Sequence, residues 1–359
     1  MKNSLLIGRL AGIRIFLHWT FLLLLSFIVL AEVRRGSSTG TVLASAGFVL
    51  ALFACVVLHE LGHSLMARRF GIGTRSITLL PIGGITAPER IPEKPRQELL
   101  VALAGPTLNV LLALVLYLFV APVGAFEGIG LSHGTVGPGF LTALFWVNVM
   151  LVVFNAIPAF PMDGGRVLLA LLALRLGRPK ATAIAAGLGK LIAVGFVFYG
   201  LFNSPFLVFI GIFVYFGAYA ENVTVQHREL LRDFTVGHAM ITNYLTLAPT
   251  DSVQDAANTL LAGSDQDLIV LGQGKAVGVL TRPLLMAALR GNCLTTAVAE
   301  VMSREFDTVE ISDSLAKVYA RAQRQPNAFY PVLENHRLRG IIDQGNLTEF
   351  LTIRAALSH

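Results

Sequence analysis

The sequence of 359 residues predicts a polytopic α-helical membrane domain, with about six transmembrane helices and a short β-hairpin, followed by a soluble α/β domain built from two repeats. Three observations predict it. Charged residues make up 14% of the chain and hydrophobic ones 54%, whereas a soluble domain is about 25% charged. Mean hydropathy is +0.68, and the long apolar runs are confined to residues 1–225. Beyond them the sequence turns polar and repeats itself at a fixed offset, which signals a repeated supersecondary unit.

A bilayer core needs about 20 apolar residues per helix. Six stretches qualify: residues 13–33, 42–68, 97–121, 139–160 with a continuation to 176, 182–203 and 205–221. The first follows an N-terminus without a small-residue cleavage site, so it reads as an uncleaved span. Residues 76–87, SITLLPIGGITA, are too short to span. Branched residues flank a Pro-Ile-Gly-Gly turn, which predicts a hairpin. Such backbone is tolerated at membrane depth only against protein or water. It therefore either caps one face or dips into a cavity.

Loop charge gives the orientation. Lys2, Arg9, Arg14, Arg68, Arg69, Arg75, Arg90, Lys94, Arg96, Arg175, Arg178, Lys180, Arg228 and Arg232 fall on one side. Arg34 and Arg35 fall on the other, together with the loop APVGAFEGIGLSHGTVGPG, which has neither Lys nor Arg. The bias predicts a multi-pass protein of the cell membrane, in contact with lipid, with both termini cytoplasmic. The net charge of +6 is accounted for by this topology and gives no reason to expect nucleic acid. Cys55 and Cys293 form no disulfide framework.

The expected domains are 1–225 for the membrane part and 236–292 and 293–355 for the two repeats. Met240 aligns with Met302 at an offset of 62 (302 − 240), and so do Asp251 with Asp313 and Gly278 with Gly340. Each copy reads as helix, strand, polar turn, strand, helix.

One constellation carries chemistry. His59-Glu60-Leu61-Gly62-His63 is H-E-x-x-H inside an apolar helix. Positions i and i+4 share a helix face, so two imidazoles reach one metal and the neighbouring glutamate is placed to act as a base. Such a match arises by chance in on the order of one chain in a hundred. Ionisable groups inside a span, however, are rare and usually functional. A catalytic zinc site needs a third protein ligand and an open position. Asp163, in the stretch NAIPAFPMDGG at 155–165, is the best supplier: Pro158 and Pro161 interrupt the helix before it, and a broken helix can carry the carboxylate inward. The competing reading makes Asp163 a helix N-cap. Cys55 shares the histidine stripe but reads as a small buried apolar residue. His18 reads as an interfacial histidine, and Asn109 and Asn148 as amides bonding between helices.

Together with AGPTLN at 104–109, these motifs resemble the site-2 proteases, intramembrane zinc metalloproteases, in the subgroup with C-terminal CBS (cystathionine-β-synthase-type) domains. The resemblance covers nearly the whole chain; Met162 stands where members usually have Leu. It implies one zinc per chain on His59, His63 and Asp163, with Glu60 as general base and proton shuttle. It implies that Asn155 helps hold the substrate carbonyl or oxyanion, and that the 76–87 hairpin offers a strand edge to a transmembrane protein substrate. For the tail it implies an adenine-nucleotide site or a homodimer contact. A Thr and an Asp are expected near the second strand of each repeat. This chain has Thr281 with Leu284, and Asp343 with Asn346, so a degenerate or structural tail is the alternative. Two readings of other classes stand beside the protease: a CBS-gated transporter or channel, and a catalytically dead membrane adaptor. The single cluster of intramembrane ionisable groups argues against the first, and its intact residues against the second.

Overall fold

The computed structural model describes residues 4–81, 83–89, 92, 94–121, 138–262, 267–323, 325, 328–335 and 337–357. The loop at 121–139 without Lys or Arg (apart from its ends), Arg90, and Ile82 of the hairpin turn lie outside them. The chain divides into two compact units, 1–225 and 226–359.

The first unit opens with strands β1 (Ser4–Leu10) and β2 (Ile13–His18). Helices α1 (Trp19–Arg34) and α2 (Thr39–Arg69) follow. Then come β3 (Thr74–Leu80) and β4 (Gly83–Pro88). Helices α3 (Pro95–Val120), α4 (Pro138–Asn155), α5 (Asp163–Leu176), α6 (Arg178–Asn203) and α7 (Pro205–Leu230) complete it. Among the described residues, α2, α3, α6 and α7 are long and apolar enough to cross a membrane; residues 139–155 form a shorter apolar helix.

The first span departs from the sequence reading, and the break before Asp163 agrees with it. The expected first span begins at Trp19, not residue 13, because Ile13–His18 is a strand; α1 has 16 residues. The apolar run that included these residues conceals a two-residue turn at Ala11-Gly12. Both turn residues have positive φ, and Leu10 pairs with Ile13. The stretch 139–176 breaks at residues 156–162, where the backbone leaves helical geometry between α4 and α5.

The predicted hairpin is present as β3 and β4, and it belongs to a four-stranded sheet ordered β1-β2-β3-β4. β2 and β3 run parallel, joined by the crossover of α1 and α2. Ile77 of β3 is fully buried against Ile13 and Leu61, while Leu79 packs on Phe21 and Phe53. Leu61 and Phe53 are eight residues apart, about 12 Å along a helix. The sheet therefore runs alongside α2 past His59 instead of sitting on its end. β4 has a single strand neighbour and is an edge.

Apolar side chains gain nothing over lipid by meeting each other, so membrane helices associate through small residues that allow close packing. Helix α6 shows this: Ala181, Ala185, Gly189 and Ala193 recur every fourth position and are all buried. Ala181 and Ala185 cluster with Phe160, Leu169 and Ala218, which holds α5 against its neighbours. One turn before Ala181, Arg178 of α6 forms an ion pair at 2.9 Å with Glu98 of α3 and donates to the carbonyl of Pro92.

The second unit contains β5 (Thr246–Leu247), α8 (Val253–Ala262), β6 (Leu268–Gly272), β7 (Lys275–Leu280) and α9 (Arg282–Arg290). After α10 (Val298–Val301) the same order returns as β8 (Val309–Glu310), α11 (Leu315–Ala322), β9 (Phe329–Glu334), β10 (Arg337–Asp343) and α12 (Gln344–Leu357). Each copy has a three-stranded sheet and its own core. Between them lie Ile269 and Val279 of one copy and Phe329 and Ile341 of the other.

Candidate active site

The site begins with helix α2. His59 and His63 lie one turn apart and turn toward the same point. Their Nε2 atoms are 3.1 Å apart, and Asp163 Oδ2 is 3.1 Å from each. The structure thus brings together three residues from two distant stretches of chain. Asp163 is delivered by the break before α5. Met162, not Asp163, occupies the N-cap position, and it makes no side-chain cap bond. The aspartate is therefore free of the capping role that position alone allowed.

The geometry fits a small tetrahedral cation. Bonds of about 2.0–2.1 Å to such an ion set ligand atoms about 3.3 Å apart. His63 Nδ1 lies 2.7 Å from the carbonyl oxygen of Val101, which can only accept. A neutral His63 ring therefore carries its proton on Nδ1 and presents a lone pair at Nε2. That lone pair faces a carboxylate oxygen, an arrangement a shared cation reconciles. His59 Nδ1 is buried and has no hydrogen-bond partner among the described residues. Space for the pair of rings comes from α3: a Cβ at Gly105 would strike both imidazoles. Gly105 belongs to the AGPTLN motif, and its role was not legible from that motif alone.

Glu60 follows His59 on α2 and is engaged by the edge strand. Thr86 Oγ1 donates to Glu60 Oε2. Two residues earlier on β4, a Cβ at Gly84 would come within 2.7 Å of Glu60 Cγ. Asn155 is the last residue of α4, half-buried and outside the three converging ligand atoms. The carbonyls of the next two residues, Ala156 and Ile157, lie against Gly164 beside Asp163.

The remaining polar residues of this unit resolve as follows. Cys55 is buried and accepts a 3.4 Å contact from Asn148 Nδ2, which also donates to Leu144 O in its own helix. His18 caps α1, accepting from the Thr20 amide. Asn109 bonds to no other helix: both its amide atoms are buried and unpartnered among the described residues.

In the second unit, Thr281 lines an open cavity of ≈ 550 Å³ with Ser303, Glu305, Asp307 and Tyr330. Arg321, bonded to Asp307, holds its carboxyl below the usual range. Asp343 uses its carboxylate locally, accepting from the Asn346 amide at 2.7 Å. Burial raises Asp267, whose Oδ1 accepts from the Arg282 amide.

Comparison with known proteins finds zinc metalloproteases. Residues 47–133 and 121–199 match Peptidase family M50, and residues 236–291 and 298–353 match the CBS domain. A zinc metalloprotease of Methanocaldococcus jannaschii is 36% identical over 281 residues, 78% of each chain. Rip3 of Mycobacterium tuberculosis is 29% identical over 323 residues, 84% of this chain and 80% of that one. A solved structure, the site-2 protease from Methanocaldococcus jannaschii, is 37% identical and covers 61% of this chain and 95% of its own, with a TM-score of 0.45. Identity of this extent over both units leaves the transporter reading without support. The chain belongs to peptidase family M50, the intramembrane metalloproteases of the site-2 type, and carries a tandem CBS pair in its second unit.

Proposed function

We propose that this protein hydrolyses peptide bonds in or near the transmembrane segments of membrane proteins, using zinc held by His59, His63 and Asp163. The observation that carries the reading is the convergence of three ligand atoms at 3.1 Å beside a glutamate held by an edge strand. Zinc bound there would supply a Lewis acid for the scissile carbonyl and lower the pKa of its bound water to about 7.

The chain's own residues do the rest. A transmembrane substrate arrives as a helix with its backbone bonds satisfied. Unwinding it exposes amides and carbonyls that are costly in hydrocarbon. The free edge of β4 offers replacement partners by strand addition and holds the peptide extended next to Glu60. Glu60 takes a proton from the attacking water and returns it to the leaving nitrogen. Asn155, at the end of α4, is assigned to the substrate carbonyl or developing oxyanion, where an amide donor helps most as charge appears. Residues 1–225 form the proteolytic domain.

The repeats, 236–292 and 293–355, are assigned a regulatory or dimerising role with a homodimer as the assembly; Leu284 and Asp343, at the places where Asp and Thr are expected, disfavour an ordinary adenine-nucleotide site. The protein is placed in the cell membrane with both termini cytoplasmic, which puts Arg68 and Arg69, at the end of α2, on the cytoplasmic side.

The test is co-expression with single-span membrane proteins, comparing wild type with Glu60→Gln. Cleavage by wild type, and its loss in a variant that still binds one zinc per chain, is the expected result. Equal cleavage by both, or wild type purified without stoichiometric zinc, overturns the reading.

A further inference from the structure

We propose that Thr86 is a positioning residue for Glu60: the strand edge that receives the substrate also orients the catalytic base. The proposal rests on the protease reading above. It starts from the flexibility of glutamate, whose long side chain loses much rotamer freedom when fixed. A base acts efficiently only when held in reach of the proton it takes.

Strand β4 holds this side chain at two points. The backbone at Gly84 lies against the Glu60 stem, closely enough that a Cβ there would meet Cγ at 2.7 Å. Thr86, two residues on and so on the same strand face, donates its hydroxyl proton to Oε2. Such a bond restricts rotation of the terminal carboxyl group. It occupies one carboxylate oxygen and leaves Oε1 for proton transfer.

Thr86 is itself well anchored. It pairs with Ile77 of β3, which is fully buried against Leu61, the residue after Glu60. The outer edge of β4 has no strand partner among the described residues. A substrate strand added there would confine β4 from its second side. Thr86, and through it Glu60, would be held more firmly when the site is filled.

The experiment compares wild type, Thr86→Val, Thr86→Ser and Glu60→Gln as full-length protein with one single-span substrate. Valine keeps the shape and strand preference and removes the donor. The expected result for Thr86→Val is a kcat lower by about 10–100-fold, with KM within about twofold and one zinc per chain retained. Thr86→Ser restores kcat to within about threefold. Infrared difference spectra supply a readout independent of turnover. The carboxylate band that Glu60→Gln removes should shift in Thr86→Val and return in Thr86→Ser, with or without zinc.

A wild-type kcat in Thr86→Val, a change confined to KM, an unshifted band, or failure of Thr86→Ser to rescue each overturns the proposal. If Thr86→Val does not fold, Thr86→Ala takes its place. Glu60→Gln as active as wild type overturns the protease mechanism and this proposal together. An inactive Glu60→Gln beside a fully active Thr86→Val overturns the role of Thr86 alone.

Discussion

At the scale of residues, spacing made the centre legible. His59, Glu60 and His63 are local on one helix, so the helical repeat alone puts the two imidazoles on one face. Asp163 lies 100 residues from His63, and only the motif and the broken helix pointed to it. Gly105 and Thr86 carried no such signal, because each matters through a neighbour distant in sequence. Gly105 lends itself to a direct test. Replacing it with Ala places a methyl group against both imidazoles. Disturbing the groups that orient metal ligands typically costs about 10–100-fold in affinity. Zinc affinity, measured by competition with a chelator, should fall by that factor in Gly105→Ala while helical content is unchanged. Wild-type affinity would show that the rings do not rest on this position.

At the scale of elements, the hairpin at 76–87 was readable from its turn and branched residues, but its partners were not. β1 and β2 lie within a nearly continuous apolar N-terminal stretch, and apolar runs do not distinguish a buried strand from the start of a span. The signal was the two-residue turn, whose positive φ at Ala11 and Gly12 suits a tight hairpin. Helix ends were likewise settled by contacts. Glu98, near the start of α3, is almost wholly buried, and Arg178 at the start of α6 reaches it with both terminal nitrogens. Removing one partner of a buried pair leaves the other charge uncompensated, at a cost of about 3–5 kcal/mol. Glu98→Ala should therefore lower the thermal midpoint of the purified protein markedly. Glu98→Ala combined with Arg178→Ala should lower it less. A midpoint equal to wild type in Glu98→Ala would remove the pair from any structural role.

At the scale of the whole molecule, the two units were visible as a change of composition, and the repeat as an offset of 62 (302 − 240). The structure gives that offset a physical meaning. Met302 of the second copy packs on Gly278 of the first, and Met240 of the first on Gly340 of the second. The backbone bridges follow the same exchange, Val279 with Ser303 and Ile241 with Ile341. Two of the three pairs that marked the repeat in sequence, the methionines and the glycines, are thus those that lock the copies together. A Cβ at Gly278 would collide with the Met302 side chain, and one at Gly340 would come within 2.6 Å of the Ile241 carbonyl oxygen, with Met240 beside it. Gly278→Val should destabilise the second unit by about 1–3 kcal/mol through overpacking, read as faster proteolysis or a lower midpoint in the full chain. Adding Met302→Ala should recover part of the loss; no effect of Gly278→Val would deny the interlock. The sequence by itself determined the membrane and repeat units, the hairpin, the helix carrying two histidines and a glutamate, and the stretch that supplies Asp163. These depend on local periodicity, composition and spacing, which a chain carries before it folds. Only the tertiary structure decided that a four-stranded sheet runs beside α2, that Thr86 holds Glu60, and that Gly105 makes room for the ligands. Those contacts join residues far apart in the chain, and they arise only when packing brings the elements together.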